Sequence, residues 1–111
     1  MLTNLTKLLR TAAVFAALGD ETRLGLMNRL SSEGPLSITR LTEGAGVTRQ
    51  AITRHLDVLR SAGLAVSRRQ GRERVWAMDP RKLKTASRNL EEISAQWDAA
   101  LERFRKLVEE S

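Results

Sequence analysis

The sequence predicts a single, mainly α-helical domain that carries one small β-hairpin, and three observations support this. Apolar residues recur every three or four positions along most of the 111 residues, which is the spacing of amphipathic helices. Only residues 64–78 change to two short β-favouring segments around a glycine. With 41% hydrophobic and 29% charged residues, the chain has the composition of a globular protein with one core.

Two helices are expected in the first third of the chain. The first ends near residue 18, and its apolar stripe consists of Leu2, Leu5, Leu9, Ala12 and Ala16. Asp20 stands where the N-cap of a second helix belongs, and Gly34 with Pro35 ends that helix. Its apolar spacing is given by Leu24, Met27 and Leu30.

A helix-turn-helix is expected over residues 37–63. Ser37 can cap a short helix, two glycines at 44 and 46 permit a tight turn, and Thr48 is placed to cap the longer helix that follows. One face of this longer helix is apolar and consists of Ala51, Ile52, His55, Leu56, Val58, Leu59 and Ala62. The other face begins with residue types that contact bases and phosphates in the major groove. The expected DNA-contacting residues of this recognition helix are Thr48, Arg49, Gln50, Thr53 and Arg54.

Two β-favouring segments, LAVSRR and ERVWAM, flank a Gln-Gly-Arg turn and predict a hairpin over residues 64–78. Pro80 suits the first position of a last helix that occupies most of residues 80–110. The order of elements is therefore helix, helix, helix-turn-helix, hairpin, helix, which is that of a winged helix-turn-helix. The hairpin is the wing. The expected phosphate contacts of the wing and the segment beside it are Ser37, Thr39, Arg68, Arg69, Arg72 and Arg74.

The excess positive charge is concentrated in the helix-turn-helix and the wing. Residues 37–78 carry eight arginines and three carboxylates, which is +5 of the net +6 of the chain. Arginine matches phosphate and guanine edges bidentately, so this distribution favours a nucleic-acid partner. The polar face of the recognition helix, taken alone, is equally compatible with a solvated surface. The capped helix before it and the arginine-rich hairpin after it favour DNA binding.

Three stretches of the sequence resemble the arsenic-repressor-like (ArsR/SmtB) family of bacterial winged helix-turn-helix regulators. They are LGDETRLGLMNRL, TRQAITRHLDVLRSAGL and RRQGRERVWAMDPRKL. The resemblance is close over residues 12–83 and most specific from Thr48 to Leu64. It implies a homodimer that binds an imperfect palindrome and represses transcription. It also implies that the first and last helices, residues 1–18 and 80–110, pair across the dimer.

The apolar residues of the last helix follow the pattern of a helix that packs against another helix. Its apolar residues recur with the 3.5-residue period of helices that pair, and these are Leu83, Ala86, Leu90, Ile93, Trp97, Ala100, Phe104 and Leu107. A helix of about 27 residues is about 40 Å long, which exceeds what the core of one small domain can cover. Together with the resemblance to the ArsR/SmtB family, the length and the apolar period of this helix predict a dimer interface. Its expected residues are Leu5, Leu9, Ala12, Leu90, Ile93, Trp97, Ala100, Leu101 and Phe104.

Neither metal sensing nor catalysis is expected. Many members of the family bind metals through a cysteine pair or through histidines of the last helix. This chain has Ser37 and Thr39 at the positions of that pair, contains no Cys, and has no His in its last helix. Zinc and arsenic need thiolate or imidazole ligands, so no metal site and no cofactor are predicted. The single His55 is expected to pack in the scaffold, and without a nucleophile–base pair no enzyme is expected.

The sequence thus predicts a metal-independent homodimeric repressor that binds a palindromic operator in double-stranded DNA. Neither a signal peptide nor a membrane span is expected, so we expect a cytoplasmic protein. Two alternatives stay open, namely a winged-helix protein-interaction module and an architectural protein that binds DNA without base preference. An unidentified small molecule or partner protein is a candidate effector. The operator and the regulated genes are not encoded in any residue, and repression rests on the resemblance.

Overall fold

The computed structural model describes residues 2–110, with side chains from residue 4 onward, so the side chain of Leu2 lies outside the described part. Within this part the chain forms five α-helices and three short β-strands. In chain order they are α1 (Leu2–Leu18), α2 (Glu21–Glu33), β1 (Leu36–Ser37), α3 (Ile38–Thr42), α4 (Arg49–Ser61), β2 (Ala65–Gln70), β3 (Glu73–Met78) and α5 (Arg81–Glu110). This order confirms the predicted mainly helical fold with a helix-turn-helix and a wing.

Three helices begin at a polar side chain that caps their first turn. The caps of α2, α3 and α4 are Asp20, Ser37 and Thr48, as predicted. Each side-chain oxygen accepts a hydrogen bond from the backbone N–H three residues later, at 3.0, 3.2 and 3.1 Å respectively. The bond from the Arg23 N–H lowers the pKa of Asp20, which keeps this cap ionised. The three caps fix where α2, α3 and α4 start.

The sheet has one strand more than the predicted hairpin. Its order is β1-β3-β2, and both pairings are antiparallel. The additional strand β1 is only two residues long, and its Leu36 lies opposite Trp76 of β3. Two residues are too few to show the alternation by which a strand is predicted. Because β1 leads directly into α3, the sheet joins the wing to the helix-turn-helix.

The core lies between the helices and the inner face of the sheet. Its most deeply buried large side chains are Leu41, Ile52, Leu56, Leu59, Leu64 and Trp76. The prediction that Val58 belongs to the apolar face of α4 is wrong, because its side chain is 41% exposed. Leu24 of α2 is likewise 56% exposed, and Leu26 is buried instead. A helix turns about 100° per residue, so both residues lie on the flanks of a narrower buried stripe than predicted.

Helices α1 and α5 pack against each other on the other side of the domain. The side-chain amide of Asn89 donates a 3.0 Å hydrogen bond to the hydroxyl of Thr11, and Lys7 lies 3.5 Å from Glu92. Of the 30 residues of α5, Ala86 alone is fully buried. A 30-residue helix is about 45 Å long and outreaches the 17-residue α1. No helix within residues 2–110 has the combination of length and hydropathy that crossing a membrane requires.

Candidate nucleic-acid interface

The polar face of α4 presents four of the predicted recognition residues together. They line one open depression of about 490 Å³ and are all exposed: Arg49, Gln50, Thr53 and Arg54. The Thr53 hydroxyl donates to the backbone carbonyl of Arg49 at 2.9 Å. Thr48 precedes them, and its hydroxyl oxygen accepts from the backbone of Ala51. The recognition face is therefore built from the first two turns of α4.

The wing projects beside this face as a tight hairpin. Its two-residue turn consists of Gly71, with a φ of 65°, and Arg72. A positive φ at the first turn position matches the strand twist of a hairpin and favours glycine there. Arg68, Arg69, Arg72 and Arg74 are all exposed, and Arg74 donates to the hydroxyl of Ser67 across the strands at 2.9 Å. The turn thus carries an arginine at the tip of the wing.

Two wing arginines face each other directly. Arg69 of β2 and Arg74 of β3 are paired in the antiparallel register, and both are exposed. Directly opposed residues of a strand pair project from the same face, and like charges in that arrangement destabilise the hairpin. An anion bound between or above them would remove this penalty. The arrangement is chemically suited to a polyanion such as DNA.

Ser37 and Thr39 lie at the start of α3, next to the wing, and their hydroxyl groups are used differently. The Ser37 oxygen accepts the capping bond from Arg40, and its own hydrogen remains able to donate. The Thr39 hydroxyl instead donates its hydrogen to Glu73 at 2.6 Å. Both residues are among the predicted phosphate contacts, and Ser37 is therefore the one of the two whose hydroxyl hydrogen can be donated to a phosphate.

Glu73 was not predicted from the sequence as part of the site, and it joins the wing to α3 and α4. Its Oε1 accepts from the Thr39 hydroxyl and lies 3.5 Å from Nη2 of Arg49, whose Nη1 lies 3.4 Å from Thr39 Oγ1. We call these three residues the Glu73 cluster. The Thr39 hydroxyl, and then the charge of Arg49, lower the pKa of Glu73. A carboxylate in an arginine-rich hairpin gives no local signal of this role, because Thr39 lies 34 residues away.

His55 belongs to the scaffold, as expected. It is half-buried on α4, and its Nδ1 lies 3.2 Å from Nη1 of Arg23. The same guanidinium donates through Nε to the carbonyl of Ala17 at 2.6 Å. Within residues 2–110 no three His, Asp or Glu side chains come close enough together to share a metal ion.

The predicted dimer residues form two apolar bands on the outside of α1 and α5. Trp97, Leu101 and Phe104 are 57%, 55% and 60% exposed, and Leu9 of α1 is 63% exposed. Leu5, Leu90, Ala12 and Ala100 are exposed as well, and Ile93 is half-buried. The buried face of α1 consists of other residues, namely Thr11, Val14 and Ala17. Each helix thus has one face in the domain core and a second apolar face without cover from its own chain.

Comparison with known proteins identifies the family. Residues 18–68 match the model of a helix-turn-helix domain. The chain is 41% identical over 78 residues to the uncharacterized HTH-type transcriptional regulator YuzN of Bacillus subtilis, spanning 65% of this chain and 85% of that protein. It is 32% identical over 95 residues to the arsenical resistance operon repressor of Escherichia coli, spanning 86% of this chain and 79% of that protein. The chain belongs to the ArsR family.

A solved structure supports the same assignment for the fold. The ArsR-like transcriptional regulator from Rhodococcus sp. RHA1 matches with a TM-score of 0.73 and 37% sequence identity, over 88% of this chain and 92% of that one. This ArsR-family protein is a DNA-binding transcriptional regulator with a winged helix-turn-helix fold. The expectation that it is not an enzyme is confirmed by its membership in a family of regulators.

Proposed function

We propose that this ArsR-family protein is a homodimeric repressor that recognises a palindromic operator in double-stranded DNA. The observation that carries this proposal is the exposed recognition face of α4, with its four side chains around one depression, beside an arginine-rich wing. DNA is a polyanion that needs both a grip on its phosphates and a means of distinguishing its bases. The wing and the recognition face supply these two functions separately.

The recognition residues have complementary roles in this proposal. Arg49 and Arg54 bind guanine edges through their guanidinium forks, and Gln50 binds adenine. Thr53, whose hydroxyl already donates to the α4 backbone, contributes its methyl group to contact with thymine. Thr48 positions the first turn of α4, whose N-terminal dipole favours a nearby phosphate.

The phosphate contacts come from the wing and from the start of α3. Arg72 at the tip and the opposed Arg69 and Arg74 follow the DNA backbone, with Arg68 on the other face of the same strand. Ser37 donates its free hydroxyl hydrogen to a phosphate. Thr39 joins this contact only when it releases Glu73. These contacts hold the protein on DNA without distinguishing sequence.

The dimer is formed by the exposed bands of α1 and α5. Four apolar positions of α5 outside the domain core are symmetric about Ala95, namely Leu90, Ile93, Trp97 and Ala100, so an antiparallel pair of α5 helices centred there matches each of the four with another. Trp97 then meets Ile93 of the second copy, and Ala100 meets Leu90. The α1 residues Leu5, Leu9 and Ala12 extend the interface. This pairing covers the apolar band of α5 that one domain leaves exposed.

A two-fold dimer presents two recognition helices and therefore predicts an inverted repeat. The half-sites of such repeats are centred about 34 to 36 Å apart, one turn of the DNA helix. Binding to DNA also accounts for a cytoplasmic site of action. We propose that release from DNA does not use a thiolate or imidazole metal site, because the chain has no Cys and its single His is bonded to Arg23. The effector is then a small molecule or a partner protein.

Selection of bound duplexes from a random pool tests this function. We expect wild-type protein to enrich an inverted repeat, and Gln50→Ala to lose preference at one position of each half-site by about 1 to 3 kcal/mol. Gln96→Ala on α5 is the matched control and should enrich the same DNA sequence as the wild-type protein does.

Each other outcome identifies a different function. Enrichment of an asymmetric site would contradict the dimer. Tight binding without enrichment would indicate an architectural DNA-binding protein. No binding even at low salt would indicate a protein-interaction module.

A further inference from the structure

We propose that Glu73 is a specificity-determining residue, which makes Arg49 discriminate between bases and phosphates. This inference deepens the proposed function and rests on it. Glu73 lies on the DNA-facing surface but carries the charge that DNA repels. Its position is therefore informative, because a carboxylate there weakens binding unless it improves discrimination.

The geometry of the Glu73 cluster ties one oxygen to two elements of the helix-turn-helix. Oε1 of Glu73 accepts from the Thr39 hydroxyl at 2.6 Å and lies 3.4 Å from the Thr39 backbone nitrogen. The same oxygen lies 3.5 Å from Nη2 of Arg49. The carboxylate is thus fixed by α3 and in turn orients the first arginine of α4. Because the Thr39 hydroxyl lowers its pKa, Glu73 carries its charge at neutral pH.

Arg49 is distinguished from the other arginines of this surface by its carboxylate partner. Among the ion pairs formed within residues 2–110, one joins Arg49 to Glu73, whereas none involves Arg54 or a wing arginine. The side chain of Arg49 nevertheless remains 59% exposed. Its guanidinium is therefore partly occupied by Glu73 and is still accessible to DNA.

This arrangement treats the two kinds of DNA acceptor differently. A guanidinium has five N–H donors, and the Glu73 cluster uses only part of them. Guanine offers the neutral acceptors O6 and N7, which can bind the remaining donors without placing a negative charge beside Glu73. A phosphate that approaches Arg49 must displace Glu73 or lie next to it, and like charges repel. Glu73 therefore penalises phosphate contacts by Arg49 while leaving its guanine contact intact.

Glu73→Gln tests this role, since it removes the charge and keeps the shape of the side chain. Binding of the selected operator and of a scrambled duplex is measured by fluorescence anisotropy over a series of salt concentrations. We expect Glu73→Gln to raise affinity for the scrambled duplex about tenfold and for the operator less. The slope of log K against log salt on the scrambled duplex should steepen by about 0.9, as for one added phosphate contact.

Glu33→Gln is the matched control, because it neutralises a carboxylate that pairs with Arg29 on α2 at 2.9 Å, outside the recognition face and the wing. It should leave the ratio of the two affinities unchanged within about twofold. A second variant, Thr39→Val, keeps the charge of Glu73 but removes the hydroxyl that fixes it, and should reduce discrimination by about threefold.

The proposal is overturned if Glu73→Gln and Glu33→Gln change the scrambled-duplex affinity equally, or if Glu73→Gln weakens both duplexes alike. If wild-type protein itself does not distinguish operator from scrambled DNA, the proposed sequence-specific function fails. In that case the salt slope of Glu73→Gln still reports whether Glu73 keeps Arg49 from phosphate. Circular dichroism of each variant at the assay temperature verifies that it is folded.

Discussion

Nη1 of Arg23 lies 3.2 Å from Nδ1 of His55 and thereby joins α2 to the recognition helix. A guanidinium only donates hydrogen bonds, so Nδ1 is the acceptor in this contact, and the same Nδ1 lies 3.8 Å from Oδ2 of Asp20. Arg23 also donates to the carbonyl of Ala17 at 2.6 Å. One side chain therefore holds the end of α1, the start of α2 and the middle of α4 together.

Replacement of His55 by leucine should destabilise the protein and leave base preference unchanged. The substitution fills a similar volume but removes the acceptor for a half-buried guanidinium N–H, at a cost of about 1 kcal/mol. Urea unfolding should show a lower midpoint at an unchanged m-value. An altered base preference at an unchanged midpoint would instead make His55 a DNA contact.

Gly63 should tolerate alanine less well than Gly71 does. Both have a positive φ, of 79° and 65°, which costs a non-glycine residue about 1 to 2 kcal/mol. A Cβ at Gly63 would also lie 2.8 Å from Cγ of Lys82, whereas a Cβ at Gly71 meets nothing within 4 Å. We expect Gly63→Ala to cost about 1 kcal/mol more than Gly71→Ala in unfolding free energy. Equal losses would mean that the Lys82 stem moves away freely.

Arg72→Ala should weaken binding to all duplexes by a similar factor. Loss of one phosphate contact reduces the slope of log K against log salt by about 0.9. Titrations at several salt concentrations measure this slope, and Arg88→Ala on α5 is the control with the same charge change. A change confined to one duplex sequence would show that Arg72 contacts a base.

Trp97→Glu should dissociate the proposed dimer. Truncating a central aromatic residue of an interface costs about 2 kcal/mol or more, and a two-fold interface loses two copies, so the dissociation constant should rise roughly 1,000-fold. Ala99→Glu adds the same charge to α5 away from the apolar stripe and should leave the dimer intact. Sedimentation equilibrium compares the two. A Trp97→Glu protein that remains dimeric and keeps its operator affinity would contradict the interface.

The stability that Asp79 gives to the start of α5 should depend on pH. Hydrogen bonds from the side chain and backbone of Arg81 lower the pKa of Asp79 to about 2, from an ordinary value of 3.8. Its contribution to stability is therefore fully present above about pH 4 and is lost as the pH falls through about 2. The difference in urea midpoint between wild type and Asp79→Asn should shrink over this range. An NMR titration of the Asp79 carboxyl group near pH 3.8 would contradict the shift.

The parts of the fold that follow from sequence are those with local causes. Asp20, Ser37 and Thr48 were correctly predicted as caps because capping joins a side chain to a backbone group three residues away. The wing was predicted because its glycine turn is adjacent to both of its strands. The polar face of α4 follows in the same way from helical periodicity, whereas its interpretation as a recognition face also depends on the capped helix and the arginine-rich hairpin that flank it.

The parts that sequence did not predict depend on contacts between distant segments. Strand β1 exists because Leu36 pairs with Trp76, 40 residues later in the chain. Val58 and Leu24 are apolar and lie beside the buried stripes, and only the width of the facing elements decides that they are exposed. Glu73 was missed because its partners lie on α3 and α4, so its role appears only when the wing folds back against them.

The opposed arginines of the wing make salt act on the free and the bound protein in opposite directions. Added ions compete with the protein for DNA and weaken the complex. In the free protein the same ions screen Arg69 from Arg74 and stabilise the hairpin. At low salt, then, the phosphate contact that we propose for the wing supplies Arg69 and Arg74 with a counterion.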